Sequence, residues 1–169
     1  MGLEAQRAPV EVRAGHLLKS AGLTIATAES CTGGLIGHLL TEVPGSSSYM
    51  LGGMIAYDNT IKMRLLSVKE ATLIAHGAVS QQVAAEMALG ARALFGTDYA
   101  VSVTGIAGPG GGTDEKPVGL TFIGLAGPDE LLEVERYVWS QDRTGNKRAS
   151  AEAALALVVR VLEASGATS

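Results

Sequence analysis

Cys31 is the only cysteine in the chain, so no intramolecular disulfide can form and no internal pair points to an oxidising compartment. Aromatic residues are scarce, at 4% of the chain, and no run of lysine or arginine is long enough to follow a phosphate backbone. Thirteen basic against 17 acidic side chains leave a formal net charge of −4, which argues against direct contact with nucleic acid. Apolar runs stop well short of the roughly 18 residues that a membrane helix needs. The first nine residues carry Glu4 and Arg7 and lack the apolar stretch of a secretory signal. By elimination the sequence predicts a cytoplasmic protein with no membrane partner. Metal-ligand spacings are missing too: His16, His38 and His76 are scattered, so neither a metal nor a cofactor is expected.

Glycine and aliphatic side chains are plentiful. Nearly half of the 169 residues are apolar and 18% are charged, which suits one domain over residues 1–169 with a core from about 10 to 164. Helical spacing of Val10, Ala14, Leu17, Leu18 and Ala21 predicts a helix that Gly22 ends. Leu23 to Ala28 reads as a buried strand, and Leu35 to Val43 as a helix stopped by Pro44-Gly45. Met50 to Tyr57 is a strand whose Gly52-Gly53 pair suggests a bulge. Short helices follow at Thr60 to Leu66 and Glu70 to His76. Ser80 caps a longer helix with Val83, Met87, Ala91 and Leu94 on one face. Asp98 to Thr104 is a further strand. Val118 to Ala126 and Leu131 to Trp139 form a hairpin over a four-residue turn, and a last helix runs from about Lys147 to Ala164. This order predicts an α/β fold of three layers, α/β/α, around a mixed, mostly parallel sheet.

Ligands of such sheets bind at the carboxyl ends of the strands, which makes three loops the candidate site. In Thr27-Ala28-Glu29-Ser30-Cys31-Thr32-Gly33-Gly34 a strand turns sharply into a helix, where a serine hydroxyl can point outward and free amides can hold an oxyanion. A Ser or Thr in that place ordinarily caps the helix. Tyr57-Asp58-Asn59-Thr60-Ile61-Lys62 ends another strand. Lys62 can act as a base for Ser30 only if its pKa falls by several units through burial and a nearby positive charge. Tyr57 would relay a proton or hold the lysine, although a strand-end tyrosine is ordinarily a packing residue with a wet hydroxyl. The stretch from Thr104 to Thr113 leaves many amides open to a phosphate or ribose, or is simply a surface turn. Arg143, with Lys147 and Arg148 a helical turn later, forms a candidate phosphate clamp. Cys31, at a helix start, is a competing nucleophile with no histidine close to it in sequence.

Taken together, Ala28-Glu29-Ser30-Cys31-Thr32-Gly33-Gly34, Tyr57-x-Asn59-x-x-Lys62, Gly77-Ala78-Val79-Ser80, Thr104 to Gly112 and Glu115-Lys116-Pro117-Val118-Gly119 resemble the CinA C-terminal domain family, in order from about residue 10 to 160. That family includes bacterial nicotinamide-mononucleotide amidases. The resemblance implies a homo-oligomer, a dimer or higher, that binds a small nucleotide substrate. It would hydrolyse nicotinamide mononucleotide to nicotinic acid mononucleotide and ammonia without a metal. Carried onto this chain, it makes Ser30 the nucleophile, Lys62 the base and Tyr57 an assisting residue. Glu29, Thr32, Gly33, Gly34, Asn59, Thr104, Gly105, Gly108 and Arg143 would bind substrate. Where the family reads Gly-Asp-Arg-x-x-Val-Arg, this chain has Gln141-Asp142-Arg143-Thr144-Gly145-Asn146-Lys147, so a lysine replaces the second arginine and the bidentate fork is lost. Many relatives carry a larger domain ahead of this one, so the chain is expected to be a stand-alone amidase or a piece of a longer protein. A nucleotide-binding module of the same fold that serves a competence- or damage-associated partner is the rival reading.

Overall fold

The computed structural model describes residues 8–166. Its elements run α1 (Val10–Ala21), β1 (Ile25–Glu29), α2 (Leu35–Glu42), a short 3₁₀ turn at Ser46–Ser48, β2 (Met50–Ile55), α3 (Asn59–Leu66), α4 (Glu70–His76), α5 (Gln81–Phe95), β3 (Tyr99–Gly105), β4 (Leu120–Ala126), β5 (Leu132–Val138) and α6 (Arg143–Ala164). The sheet order is β2-β1-β3-β4-β5. β1 pairs in parallel with both β2 and β3, whereas β4 is antiparallel to β3 and β5 antiparallel to β4. Four strands therefore point one way, with β4 alone reversed.

Alternation along β1 and β3 builds the two helical layers. Ile25, Val101 and Val103 face α1, α2 and α6, where Leu17, Leu18, Ile36, Leu40, Leu155 and Val158 are fully or almost fully buried. Ala26, Ala28 and Ala100 face the other way, against Val83, Met87 and Ala91 of α5 and Leu66 of α3. These small strand residues let α5 lie close on the sheet. A Cβ on Gly124 would come 2.6 Å from the Ala84 carbonyl. Burying such a face contributes about 25 cal/mol per Å² of apolar surface.

Boundaries depart from the sequence reading in places that have physical causes. β1 starts two residues late and runs on through Glu29. A register shift at the start of β2 leaves Leu51 between the partners of Ile25 and Ala26, which places the bulge just before the glycine pair. Leu94 is 49% exposed and does not share the buried face of Val83, Met87 and Ala91. α6 begins at Arg143, four residues early, because the Asp142 carboxylate accepts from the Gly145 amide at 2.7 Å and so caps the helix ahead of a glycine that looked like loop. The β4–β5 connection spans residues 127–131 and is closed by the Gly127 amide donating to the Leu131 carbonyl. No helix among the described residues is long and apolar enough to cross a membrane.

Candidate active site

From β1 the chain crosses to β2 on one side and, through α3, α4 and α5, returns to β3 on the other. This is the switch point at which loops diverge and a crevice opens. The Ser30 amide donates to the Val103 carbonyl at 3.0 Å, and the Ala56 amide donates to the Glu29 carbonyl at 2.8 Å. Three strand ends are thereby drawn together. The resulting cleft, about 280 Å³, is lined by Ser30, Tyr57, Asn59, Lys62, Thr104, Gly105, Gly108 and Arg143, among others.

Lys62 occupies the floor. The Asp58 carboxylate caps α3 by accepting from the Thr60 amide at 2.8 Å, and one turn further on Lys62 points inward at 1% exposure. Its Nζ donates to the Tyr57 carbonyl at 2.9 Å. Burial lowers its pKa below the ordinary lysine value, against the opposing pull of the Asp58 carboxylate and of Cys31. The downward pull comes from desolvation, with no positive side chain contributing to it.

Cys31 lies next to Ser30 with 7% exposure, and burial pushes its thiol up to about 12. A thiol held neutral in this way is a poor nucleophile near neutral pH. The amides of Cys31 and Thr32 donate to no backbone carbonyl among the described residues, and both approach the Cys31 sulfur.

Arg143 closes one side of the cleft, donating to the Gly108 carbonyl at 2.7 Å and to the Tyr57 hydroxyl at 3.4 Å. Tyr57 itself is 62% exposed, at the mouth. Gly108 has φ +88°, a conformation a side chain would strain, and its carbonyl is what Arg143 holds. Thr104 is buried and donates to the Ala78 carbonyl at 2.8 Å, which draws the Gly77–Ser80 turn over the cleft.

Four of the expected residues lie elsewhere. The Glu29 carboxylate accepts from the amides of Gly34, Ile36 and Gly37 at 2.8–3.1 Å, so it caps α2 from the end of β1 and is occupied there. Thr32, Gly33 and Gly34 line a neighbouring pocket with Lys147 and Arg148. The three basic residues taken above as one clamp are thereby divided between two hollows. Ala78 and Val79 also line the cleft, and Lys116 fastens their turn by donating to the His76 and Val79 carbonyls. Both segments were legible as motifs, but only the fold brings them to the site. Among the described residues no group of three His, Cys, Asp or Glu side chains is arranged to hold a metal ion.

Fold and cleft define an α/β domain with a buried lysine and a turn-borne serine facing one crevice. The model of the CinA C-terminal domain matches residues 7–162, and the chain belongs to that family. It is 52% identical over 160 residues to a CinA-like protein of Chloroherpeton thalassium, covering 93% of this chain and 38% of the relative. It is 54% identical to one from Chlorobaculum tepidum, covering 88% and 36%. The chain spans little more than a third of these curated relatives. Among solved structures, the competence/damage inducible protein CihA of Agrobacterium tumefaciens matches with a TM-score of 0.87 and 39% identity, covering 92% of this chain and 96% of that one. A CinA superfamily protein of Escherichia coli matches with the same TM-score and 27% identity, covering 95% and 93%.

Proposed function

We propose that the domain is a nicotinamide-nucleotide amidase. The observation that carries this reading is the buried Lys62, its pKa lowered by desolvation, in the same cleft as Ser30. In this scheme neutral Lys62 takes the Ser30 proton as Oγ attacks the carboxamide carbon. The carbonyl oxygen becomes an oxyanion. Protonated Lys62 returns its proton to the amide nitrogen, the C–N bond breaks and ammonia leaves. Water, deprotonated by the same lysine, then releases nicotinic acid mononucleotide from the acyl-enzyme. Arg143 and Tyr57 orient the pyridine ring at the mouth. The choice of a nicotinamide substrate rests on family resemblance.

Ammonia release from nicotinamide mononucleotide, measured on purified protein with and without EDTA, tests the reading. Turnover that survives EDTA and is abolished by Ser30→Ala is expected. No turnover by a correctly folded chain would instead favour a binding module.

A further inference from the structure

β2 stands at one end of the sheet, so backbone donors and acceptors along its outer side face away from β1. Met50–Ile55 holds neither a charged residue nor a proline, the devices that ordinarily keep such an edge unpaired. Leu51 and Ile55 flank Gly53 at 53% and 56% exposure. Behind this edge, between β2 and α2, lies a groove of about 430 Å³ that shares no lining residue with the Ser30 cleft. Thr27, the register partner of Gly53, forms part of its floor. Thr27 is 1% exposed, its hydroxyl has no hydrogen-bond partner among the described residues, and a Cβ on Gly53 would collide with its Oγ1. The missing side chain leaves that hydroxyl open to the groove.

Gly37 lies across the groove in α2. A Cβ there would stand 3.6 Å from the Thr27 Oγ1, 3.6 Å from the Glu29 Oε1 and 3.8 Å from the Met50 Cε, all ordinary contacts. Glycine is a poor helix former, and alanine would fit, so neither helix propensity nor space accounts for it. Its bare backbone leaves one point that reaches two oxygens at once. Glu29 is 1% exposed and pairs with no cation among the described residues. Its Oε2 accepts from the Gly34 and Ile36 amides but its Oε1 from Gly37 alone, whereas an ionised carboxylate has about four acceptor sites. A carboxylate and a hydroxyl with spare capacity, beside a methionine methyl, suit an ammonium group on an apolar stem.

We propose that an extended peptide adds a strand to the β2 edge and lays a lysine side chain across Gly53, its ammonium between Glu29 and Thr27. An added strand stands about 4.8 Å beyond β2 and so roughly 10 Å from β1, a distance that a four-carbon stem and a hydrogen bond of about 2.9 Å together cover. Apolar residues two places before and two places after the lysine fall beside Leu51 and Ile55. Backbone pairing supplies the affinity, and the buried carboxylate selects the side chain. The partner is thus an extended segment with a lysine between two apolar residues that share its face.

The test titrates the peptide acetyl-Val-Thr-Lys-Thr-Val-amide into the ¹⁵N-labelled protein. Saturable shifts at the Gly37 amide and at the amides of β2 are expected, with affinity about tenfold weaker when methionine replaces the peptide's lysine. Gly37→Ala puts a methyl in the ammonium's place and should weaken binding by at least as much, while melting no lower than the wild type. Thr27→Val, which removes the hydroxyl at nearly constant shape, should weaken it less. Absence of shifts, equal affinity for the lysine and methionine peptides, or unchanged affinity in Gly37→Ala overturns the proposal. Shifts produced by n-butylammonium chloride and not by the peptide also overturn it, and assign the groove to a small free amine. A dimer in sedimentation whose dissociation deprotects the β2 amides overturns it as well, and gives the edge to a second copy of the chain.

Discussion

Lys62 and Tyr57 are joined by a single hydrogen bond, from the lysine Nζ to the tyrosine's backbone carbonyl at 2.9 Å. The bond aims the amine into the cleft without neutralising it, because a carbonyl supplies partial charge where a carboxylate would supply a full one. Burial is thereby left free to lower the pKa.

Activity should accordingly rise with pH along a limb that lies below the ordinary lysine value of about 10.5 and belongs to Lys62. Lys62→Arg, which cannot serve as a base near neutral pH, should lose at least about 10²-fold in kcat. An arginine variant with the wild-type rate and pH profile would exclude the serine–lysine scheme.

The same burial has a thermodynamic side. A lysine whose pKa is lowered on folding binds fewer protons in the native state than in the unfolded one, so stability rises with pH between the lowered value and about 10.5. Lys62→Met removes that penalty and should leave the melting temperature at neutral pH unchanged or up to about 4 °C higher, at roughly 2–4 °C per kcal/mol. Calorimetry checks this, and a fall of several degrees would show that the lysine's hydrogen bond outweighs its desolvation.

Cys31→Ala should keep most of the activity, and a thiol reagent at pH 8 should label the folded chain slowly, because the thiol is buried and pushed up to about 12. Ser30→Ala should be inactive yet still bind nucleotide. The opposite pattern would move the nucleophile by one residue.

Glu29→Gln tests the cap. One face of a glutamine side chain presents an amide NH₂ where Glu29 has an acceptor, so at least one of three backbone donors loses its partner. The expected cost is about 1–3 kcal/mol of stability, read from chemical denaturation, together with a rise in amide exchange at the start of α2.

The order of elements and both core layers were legible because strand alternation and helical spacing each report burial directly: β1 and β3 as apolar runs, α1 and α5 as periodic faces. Ser30, Tyr57 and Lys62 were legible as strand-end residues on adjacent loops. Glu29 was misread as a substrate contact because nothing in Glu-Ser-Cys-Thr-Gly-Gly says that the carboxylate turns back to three amides of the following helix. Arg143 and Lys147 lie four apart in α6, the spacing that puts side chains on one face, but the Gly108 carbonyl and the Tyr57 hydroxyl draw the Arg143 guanidinium into the cleft and away from Lys147, which local spacing could not show. Lys116 was legible as part of a motif but its role was not, because its partners, the carbonyls of His76 and Val79, belong to a distant turn.

Gly90→Ala should be strongly damaging although it lies outside the cleft. Its Cβ would fall 1.9 Å from the Leu66 carbonyl, at the end of α3. Relief requires α3 to move off α5, which displaces Lys62 together with its helix. A loss of about 2–4 kcal/mol and a drop in kcat in the surviving folded fraction are expected. Denaturation curves measured beside kinetics would show whether the two effects travel together.

The bond between the Ser30 amide and the Val103 carbonyl also bears on the order of assembly. β1 precedes its partner β3 by β2 and four helices, so the turn carrying the serine cannot close until β3 has been made. Closure across that span is the slow, non-local kind of step. The turn that carries Ser30 therefore takes its final shape only once the chain has been made at least as far as Val103.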